Sequence, residues 1–172
     1  MQKDIPLTGG KLKELVEEMN ERPNIIFGDS INDNSTIEDI FKNSGHAIIY
    51  HDWKDGSGVG HWICAVRQHN KQNNKQNNKF GKDGSFYFYD SFGKSPDTYN
   101  PSIKKVVSKY YDKLNYNDIV FQAKDANTCG RHCIMVCALN KMGFGPQEID
   151  KFLKRLKSNK VNIDNLLIKN IY

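Results

Sequence analysis

Three strand-like stretches lie close together in the middle of the chain, and helical patterns flank them on both sides. The stretches are His46–His51, His61–His69 and Ser85–Ser91, and turn-forming residues separate them. A fourth strand is predicted at Asp118–Ala123, whereas residues 23–34, PNIIFGDSINDN, are typical of a loop. Strands that follow one another without an intervening helix usually pair antiparallel. This order predicts an α+β fold with a mostly antiparallel central sheet flanked by helices.

Helical spacing of apolar residues marks five further stretches. The first predicted helix follows Thr8 and carries Leu12, Leu15, Val16 and Met19, and the second opens with a capping box of Ser35 and Glu38. The third covers residues 101–114. The fourth begins in the stretch DANTCGRHCIMVC and ends near Gly143, and the fifth runs from Pro146 to about Lys157. The tail, residues 161–172, carries no decisive pattern.

The chain length and the amino-acid composition predict a single domain, residues 1–172, that needs neither disulfides nor a metal to hold its core. The N-terminus lacks the apolar segment of a secretory signal, and no apolar run approaches the roughly 20 residues that span a bilayer. Four cysteines without a secretory segment indicate free thiols, so neither secretion nor a membrane partner is expected. The formal net charge of +5 is compatible with a nucleic-acid partner and does not by itself predict one.

Residues 71–79 read KQNNKQNNK, a tandem four-residue repeat without an apolar side chain. A segment of this composition has no apolar surface to bury. We therefore expect a solvated, mobile extension of the hairpin between two strands, outside the core.

Three of the four cysteines recur at four-residue intervals inside a helical pattern, at Cys129, Cys133 and Cys137. Structural zinc prefers two-residue gaps on turns, although His61-x-x-Cys64 and Cys129-x-x-His132 could converge on a metal. A disulfide within the helix is disfavoured, because side chains four residues apart are too distant for an S–S bond. The second and third cysteines sit among aliphatic residues and are predicted to be buried thiols.

Cys129 differs from the other two, since it follows Asn127 and Thr128, either of which can cap a helix. It is therefore predicted at the first turn, where the helix dipole and the unpaired amides favour a thiolate. Gly130, the next residue, would let a substrate backbone approach closely. An ordinary cysteine near a helix cap is the alternative at this point.

A thiolate nucleophile needs a proton carrier and a group that orients the carrier. Five histidines are available and position alone does not choose, although His61 opens a strand directly after a glycine-rich turn. Asp90 closes the neighbouring strand, and Gln122 has an amide that could donate to an oxyanion. The competing interpretations are a solvated acid at a strand end and an ordinary edge glutamine.

A family resemblance is carried by three stretches, GVGHWICAV, FYFYDSFG and VFQAKDANTCGRHCIMVC. In this order they resemble the adenovirus-type (adenain-like) maturation cysteine proteases, which are related to the proteases that process ubiquitin-like proteins. The similarity spans roughly His46 to Leu139, and the seven positions between Gln122 and Cys129 suit the viral enzymes better than the SUMO proteases. In its small size and its abundance of residues with AT-rich codons, the chain is most similar to proteases of virophages or polinton-like viruses.

The resemblance implies an adenain-like fold and a triad of Cys129 as nucleophile, His61 as general base and acid, and Asp90 as the residue that orients His61. It further implies that Gln122 donates to the oxyanion and that Trp62 walls a narrow channel for glycines. On this basis no metal or other cofactor is required.

One departure from the family concerns activation. The adenoviral enzyme uses a cysteine well before its nucleophile to bind an activating peptide, and the corresponding region here, around Tyr110 and Tyr111, has no cysteine. A disulfide-linked peptide activator is therefore not expected. DNA stays a candidate activator through the lysines, by resemblance only.

The predicted function is a monomeric cysteine endopeptidase that cleaves viral capsid or core precursors during virion maturation, after Gly-Gly or similar small residues. It would act in the virion and in the host cytoplasm or virus factory. The alternative enzyme is a deconjugating protease that acts on host ubiquitin or a SUMO-type modifier. The non-enzyme alternative is a basic binding module with an inactive site.

The stretch Leu7-Thr8-Gly9-Gly10, followed by Lys11, fits the pattern that this family favours before the cut: a hydrophobic residue, a variable one and two small ones. We therefore expect a peptide carrying LTGGK to be a substrate in trans. The simpler interpretation of the glycines in the intact chain is a loosened backbone before the first helix. Self-cleavage after Gly10 is the alternative.

Overall fold

The computed structural model describes residues 7–18, 23–53, 59–68, 85–112 and 114–171. Within these ranges the chain forms a five-stranded mixed sheet with helices on both of its faces. Each helix in the described ranges is too short or too polar to traverse a lipid bilayer. The predicted hairpin extension at 71–79 lies outside the described residues.

Five strands and six α-helices make up the sheet and its covering layers in the described part of the chain. The strands are β1 (Asn24–Phe27), β2 (His46–Asp52), β3 (Gly60–Gln68), β4 (Ser85–Tyr89) and β5 (Asn115–Tyr116). The helices are α1 (Gly9–Glu18), α2 (Ile37–Phe41), α3 (Pro101–Ser108), α4 (Cys129–Lys141), α5 (Pro146–Ser158) and α6 (Ile163–Asn170). The three central strands and the helices α1 to α5 confirm the predicted elements, and α6 forms in the tail that carried no decisive pattern.

The capping box of α2 lies one residue later than predicted. Thr36 Oγ1 accepts a hydrogen bond from Asp39 N at 3.2 Å, and Asp39 Oδ2 accepts one from Thr36 N at 2.6 Å. The predicted box of Ser35 and Glu38 is therefore wrong by one position. Since both pairs have a hydroxyl residue followed three positions later by an acid, the error leaves the prediction of the helix itself intact.

The strands lie in the sheet in chain order, from β1 to β5. The pairs β2–β3 and β3–β4 are antiparallel, whereas β1–β2 and β4–β5 are parallel. The prediction of a mostly antiparallel sheet is therefore wrong, and the fold is better described as mixed α/β. The parallel pairs arise because a helix, α2 or α3, connects each outer strand to its neighbour and returns the chain in the same direction.

The predicted loop at 23–34 and the predicted strand at Asp118–Ala123 are both wrong. The loop contains β1, a four-residue strand too short to show a periodic pattern. In the second case the strand is the two-residue β5, and the apolar run that follows it forms neither a strand nor a helix. Phe121 N and Gln122 N both donate to Ser91 O, at 2.9 and 3.0 Å, so this irregular segment is bound to the residues after β4.

Side chains of β3 alternate between two hydrophobic cores. Trp62, Cys64 and Val66 belong to a core shared with α1, α4, α5 and α6. Ile63 and Ala65 belong to the other core, shared with α2 and α3. The strand is therefore buried on both faces, and this is why its sequence is apolar throughout instead of alternating.

Candidate active site

A cleft of about 760 Å³ opens where α1, β2, β3 and the segment before α4 meet. Cys129, His61, Gln122 and Trp62 line it, and Asp90 lies directly behind His61. A volume of this size is within the range of ligand sites, roughly 300–1,000 Å³. The residues that the sequence singled out thus lie at one place, although they come from four separate parts of the chain.

Cys129 is the first residue of α4, and its side chain is half-buried. The predicted position at the first turn is therefore confirmed, and the helix dipole favours negative charge on the thiol. The predicted side-chain cap is wrong: Thr128 occupies the N-cap position without capping, and its hydroxyl donates to Asp164 instead.

His61 is held between an acid and the thiol. His61 Nε2 lies 2.6 Å from Asp90 Oδ1, and the His61 side chain also makes a hydrogen bond with Cys129. Because Nε2 is taken by Asp90, we infer that Nδ1 faces the thiol. Burial disfavours the imidazolium, but the hydrogen bonds with Asp90 and Cys129 outweigh it and raise the pKa of His61 to about 9. The arrangement therefore favours a protonated ring at neutral pH.

The Asp90 carboxyl is fully buried and, among the described residues, meets four donors. Besides His61, these are Phe92 N at 2.9 Å, Lys94 N at 2.9 Å and the Tyr99 hydroxyl at 2.8 Å. Burial would raise the pKa of the Asp90 carboxyl, but these donors hold it below its usual value. Asp90 is thus an ionised acid with a fixed orientation, and not the solvated strand-end acid that was the competing interpretation.

Two aromatic side chains that the sequence analysis missed stack on the His61 ring. The ring centroids of Trp53 and Phe92 lie 5.7 and 4.8 Å from that of His61. Together they cover an imidazole that is only 1% exposed. Shielding from water strengthens the electrostatic interaction between His61 and Asp90.

Gln122 is buried, and its amide is fixed at both ends. Gln122 Oε1 accepts a hydrogen bond from Ser91 Oγ at 2.6 Å, and Nε2 donates to Ala126 O. An amide nitrogen carries two hydrogens, so one N–H remains to be directed into the cleft that Gln122 lines. No pattern in the sequence marks Ser91 as the residue that sets this orientation.

Trp62 and Gly130 lie beside the start of α1. Trp62 Nε1 donates to Leu7 O at 3.1 Å, which fixes the indole as one wall of the cleft. Gly130 is buried, and a Cβ at this position would lie 3.1 Å from Leu12 Cδ1 and 3.3 Å from Leu7 Cβ. The lack of a side chain at Gly130 therefore permits close helix packing, and its role in the approach of a substrate stays a prediction.

The zinc alternative requires two Cys-His pairs to converge on one ion. Cys64 Sγ lies 3.6 Å from Cys137 Sγ, and His132 contacts Tyr89 and Asp164. All four cysteines are free thiols, and Cys133 and Cys137 are buried as predicted. Within the described ranges, no three His, Cys, Asp or Glu side chains form a group that could hold a metal ion.

A comparison with known proteins finds a relative in a virophage. The chain is 25% identical over 139 residues to "Uncharacterized protein V9" of Sputnik virophage, and the match covers 71% of each chain. No protein-family model matches the chain. The similarity points to a viral origin, and because the name of that protein states no activity, inferences about chemistry rest on the site.

Proposed function

We propose that this chain is a cysteine endopeptidase that cleaves viral capsid or core precursors after small residues, commonly Gly-Gly. The observation that carries the proposal is the linked set of Cys129, His61 and Asp90 beside an open cleft. A thiol next to a protonated imidazole that a buried carboxylate orients is the arrangement that activates a cysteine nucleophile.

The reaction follows from these positions. Cys129 Sγ attacks the scissile carbonyl carbon, and the electron pair of the C=O bond moves to oxygen. The Cys129 amide and the remaining Nε2–H of Gln122 donate to this oxyanion. The intermediate collapses, the C–N bond breaks, and the His61 imidazolium gives its proton to the leaving amine. Water then loses a proton to His61 as it attacks the acyl-enzyme, which releases the acid and restores the thiolate.

The side chains that line the cleft support a preference for particular substrate residues. Trp62 narrows it beside Cys129, and Gly9 packs against the same indole, where a Cβ would lie 3.6 Å from the ring. Such a channel favours small residues next to the scissile bond. Phe27 and Val59 also line the cleft and are 69% and 49% exposed, so they offer apolar contacts to a residue further along the substrate.

The proposal is tested by incubating the protein with its co-encoded capsid proteins and mapping new termini by mass spectrometry. An LTGGK peptide and a fluorophore-linked ubiquitin or SUMO-type modifier are assayed alongside, each with and without DNA. We expect cleavage of the capsid precursor and of the peptide. Preferential cleavage of the modifier would favour the deconjugating protease, and absence of all cleavage would favour the basic binding module.

The LTGG stretch of the intact chain is not presented as a substrate. Gly9 and Gly10 are the first residues of α1, and Leu12 N donates to Thr8 O at 2.9 Å. The bond after Gly10 is therefore helical, whereas a protease cleft of this kind binds extended backbone. We propose cleavage of the free peptide in trans and not of the folded chain.

Gln122→Ala should lower kcat by roughly 10²–10³-fold, the loss typical of one oxyanion donor. KM should change little, because the oxyanion exists only after attack. Steady-state kinetics on a cleaved peptide measure both parameters. Gln147→Ala is the matched control, since it removes an exposed glutamine on α5 outside the cleft. An unchanged kcat in Gln122→Ala would remove this residue from the site.

A further inference from the structure

A second buried acid lies behind the segment that joins Gln122 to Cys129. Asp164, on α6, is 7% exposed. Asp164 Oδ2 accepts a hydrogen bond from Ala123 N at 2.8 Å, and Oδ1 accepts one from the Thr128 hydroxyl. These two donors are the residues next to Gln122 and next to Cys129. One carboxylate therefore binds both ends of the connecting segment.

His132 supplies the third contact of this acid. His132 Nε2 lies 3.1 Å from Asp164 Oδ1, and His132 Nδ1 lies 2.8 Å from the Tyr89 hydroxyl. Burial lowers the pKa of His132, so the ring is neutral and carries one proton. The consistent assignment is that Nε2–H donates to Asp164 and that Nδ1 accepts from Tyr89. His132 is one helical turn after Cys129, so this contact also ties α4 to α6.

All three groups around Asp164 thus donate, and an ionised carboxylate accepts from all of them. Burial would raise the pKa of Asp164, but the donors His132, Thr128 and Ala123 hold it below its usual value. A neutral amide at this position would have one acceptor oxygen and two N–H groups. It could not accept from the three donors with the same geometry.

We infer that Asp164 is a positioning residue for the oxyanion hole, because it fixes the segment that sets the Gln122 amide relative to the Cys129 amide. The inference rests on the proposed function. Gln122 Nε2 also donates to Ala126 O, within the same segment, so a shift of the segment moves the amide directly. Positional errors of this kind lower transition-state stabilisation more than substrate binding.

The apolar contacts of α6 allow the positioning role of Asp164 to be distinguished from a contribution to the stability of the fold. Ile163 and Leu167 are 2% and 1% exposed and belong to the core beneath α4. They should keep α6 docked when the charge of Asp164 is removed. A variant at Asp164 can therefore be folded and still have a displaced segment.

The test compares two reactions of Cys129 in wild type and Asp164→Asn. Alkylation by iodoacetamide requires the thiolate but forms no oxyanion, whereas peptide hydrolysis requires both. Cys64, Cys133 and Cys137 are at most 1% exposed, so mass spectrometry assigns the alkylation to Cys129. We expect kcat to fall by about 10- to 100-fold, less than on loss of a donor itself, with KM and the alkylation rate within about twofold of wild type.

Substitution of Thr128 is a second test, which perturbs the site less because it removes only one donor to Asp164. Thr128→Val removes the donor to Asp164 at constant shape, and Thr128→Ser keeps it. We expect the valine variant to lose kcat and the serine variant to retain it. Asp150→Asn is the matched control, because the Asp150 carboxylate also accepts from a side-chain hydroxyl, that of Tyr87 at 3.0 Å, but lies outside the cleft.

The outcomes are separable. Equal loss of alkylation and hydrolysis in folded Asp164→Asn would overturn the inference and leave the proposed function standing. Unchanged kcat in both Asp164→Asn and Thr128→Val would do the same. Should Asp164→Asn fail to fold, the comparison of Thr128→Val with Thr128→Ser decides. A wild-type protein that cleaves no peptide at all would overturn the proposed function itself and this inference with it.

Discussion

Replacement of Cys129 by alanine is expected to abolish peptide cleavage and labelling by a thiol-reactive activity probe. The reason is that, of the four cysteines, Cys129 is the one that lines the cleft and contacts His61. Without the sulfur the proposed acyl-enzyme cannot form. Cleavage is measured on a capsid precursor and on the LTGGK peptide, and labelling by intact-mass spectrometry.

Cys133→Ala and Cys137→Ala are the matched controls, since both thiols are in α4 and buried. Burial raises the pKa of Cys133 well above its usual value, so that it stays a neutral thiol. Each control should cost about 1 kcal/mol in the free energy of unfolding and keep its turnover. The assignment of Cys129 would be contradicted if Cys129→Ala kept most of the activity.

Replacement of His61 by alanine is expected to lower kcat by at least the roughly 10²–10⁴-fold typical of general acid–base catalysis. The variant loses both the proton for the leaving amine and the partner that stabilises the thiolate. His46→Ala is the control, because His46 is also a buried histidine but lies at the other end of β2 from the residue that pairs with His61. Comparable losses in the two variants would show that only packing had been disturbed.

The pH dependence follows from the pKa of His61. Activity that requires the imidazolium should persist from neutral pH and fall as the pH rises through about 9. The folded-state pKa is raised above 6.5, so the stability that this group contributes is present below pH 6.5 and is lost as the pH rises through about 9. In Asp90→Asn the alkaline limb of kcat/KM should move to lower pH. A limb at the same pH in both proteins would contradict this electrostatic role for Asp90.

The central part of the fold could be predicted from the sequence because its signals are local. The strand stretches are bounded by turns, and Cys129 follows polar residues at the start of a helical pattern. Asp90 directly follows β4, whose last residue, Tyr89, pairs with Cys64 of β3. The length of the strand therefore suffices to place the acid near the start of β3.

Other parts of the site could not be predicted because they depend on long-range contacts. Ser91 orients Gln122 from 31 positions away, and Asp164 binds Thr128 from 36 positions away. Tyr99, which donates to Asp90, lies in a polar turn with no periodic pattern. Such residues resemble ordinary surface positions until the fold brings their partners near.

β3 ends and β4 begins at the end of the sheet opposite the proposed reacting groups. Gln68 pairs with Ser85 at that end, whereas Cys64 pairs with Tyr89, next to Asp90. At about 3.3 Å per strand residue, Ser85 and Asp90 are separated by about 17 Å. The chain therefore leaves β3 and enters β4 far from the proposed site. For the same reason, we expect an epitope tag or a fluorescent label placed between Gln68 and Ser85 to leave the proposed peptide cleavage unchanged.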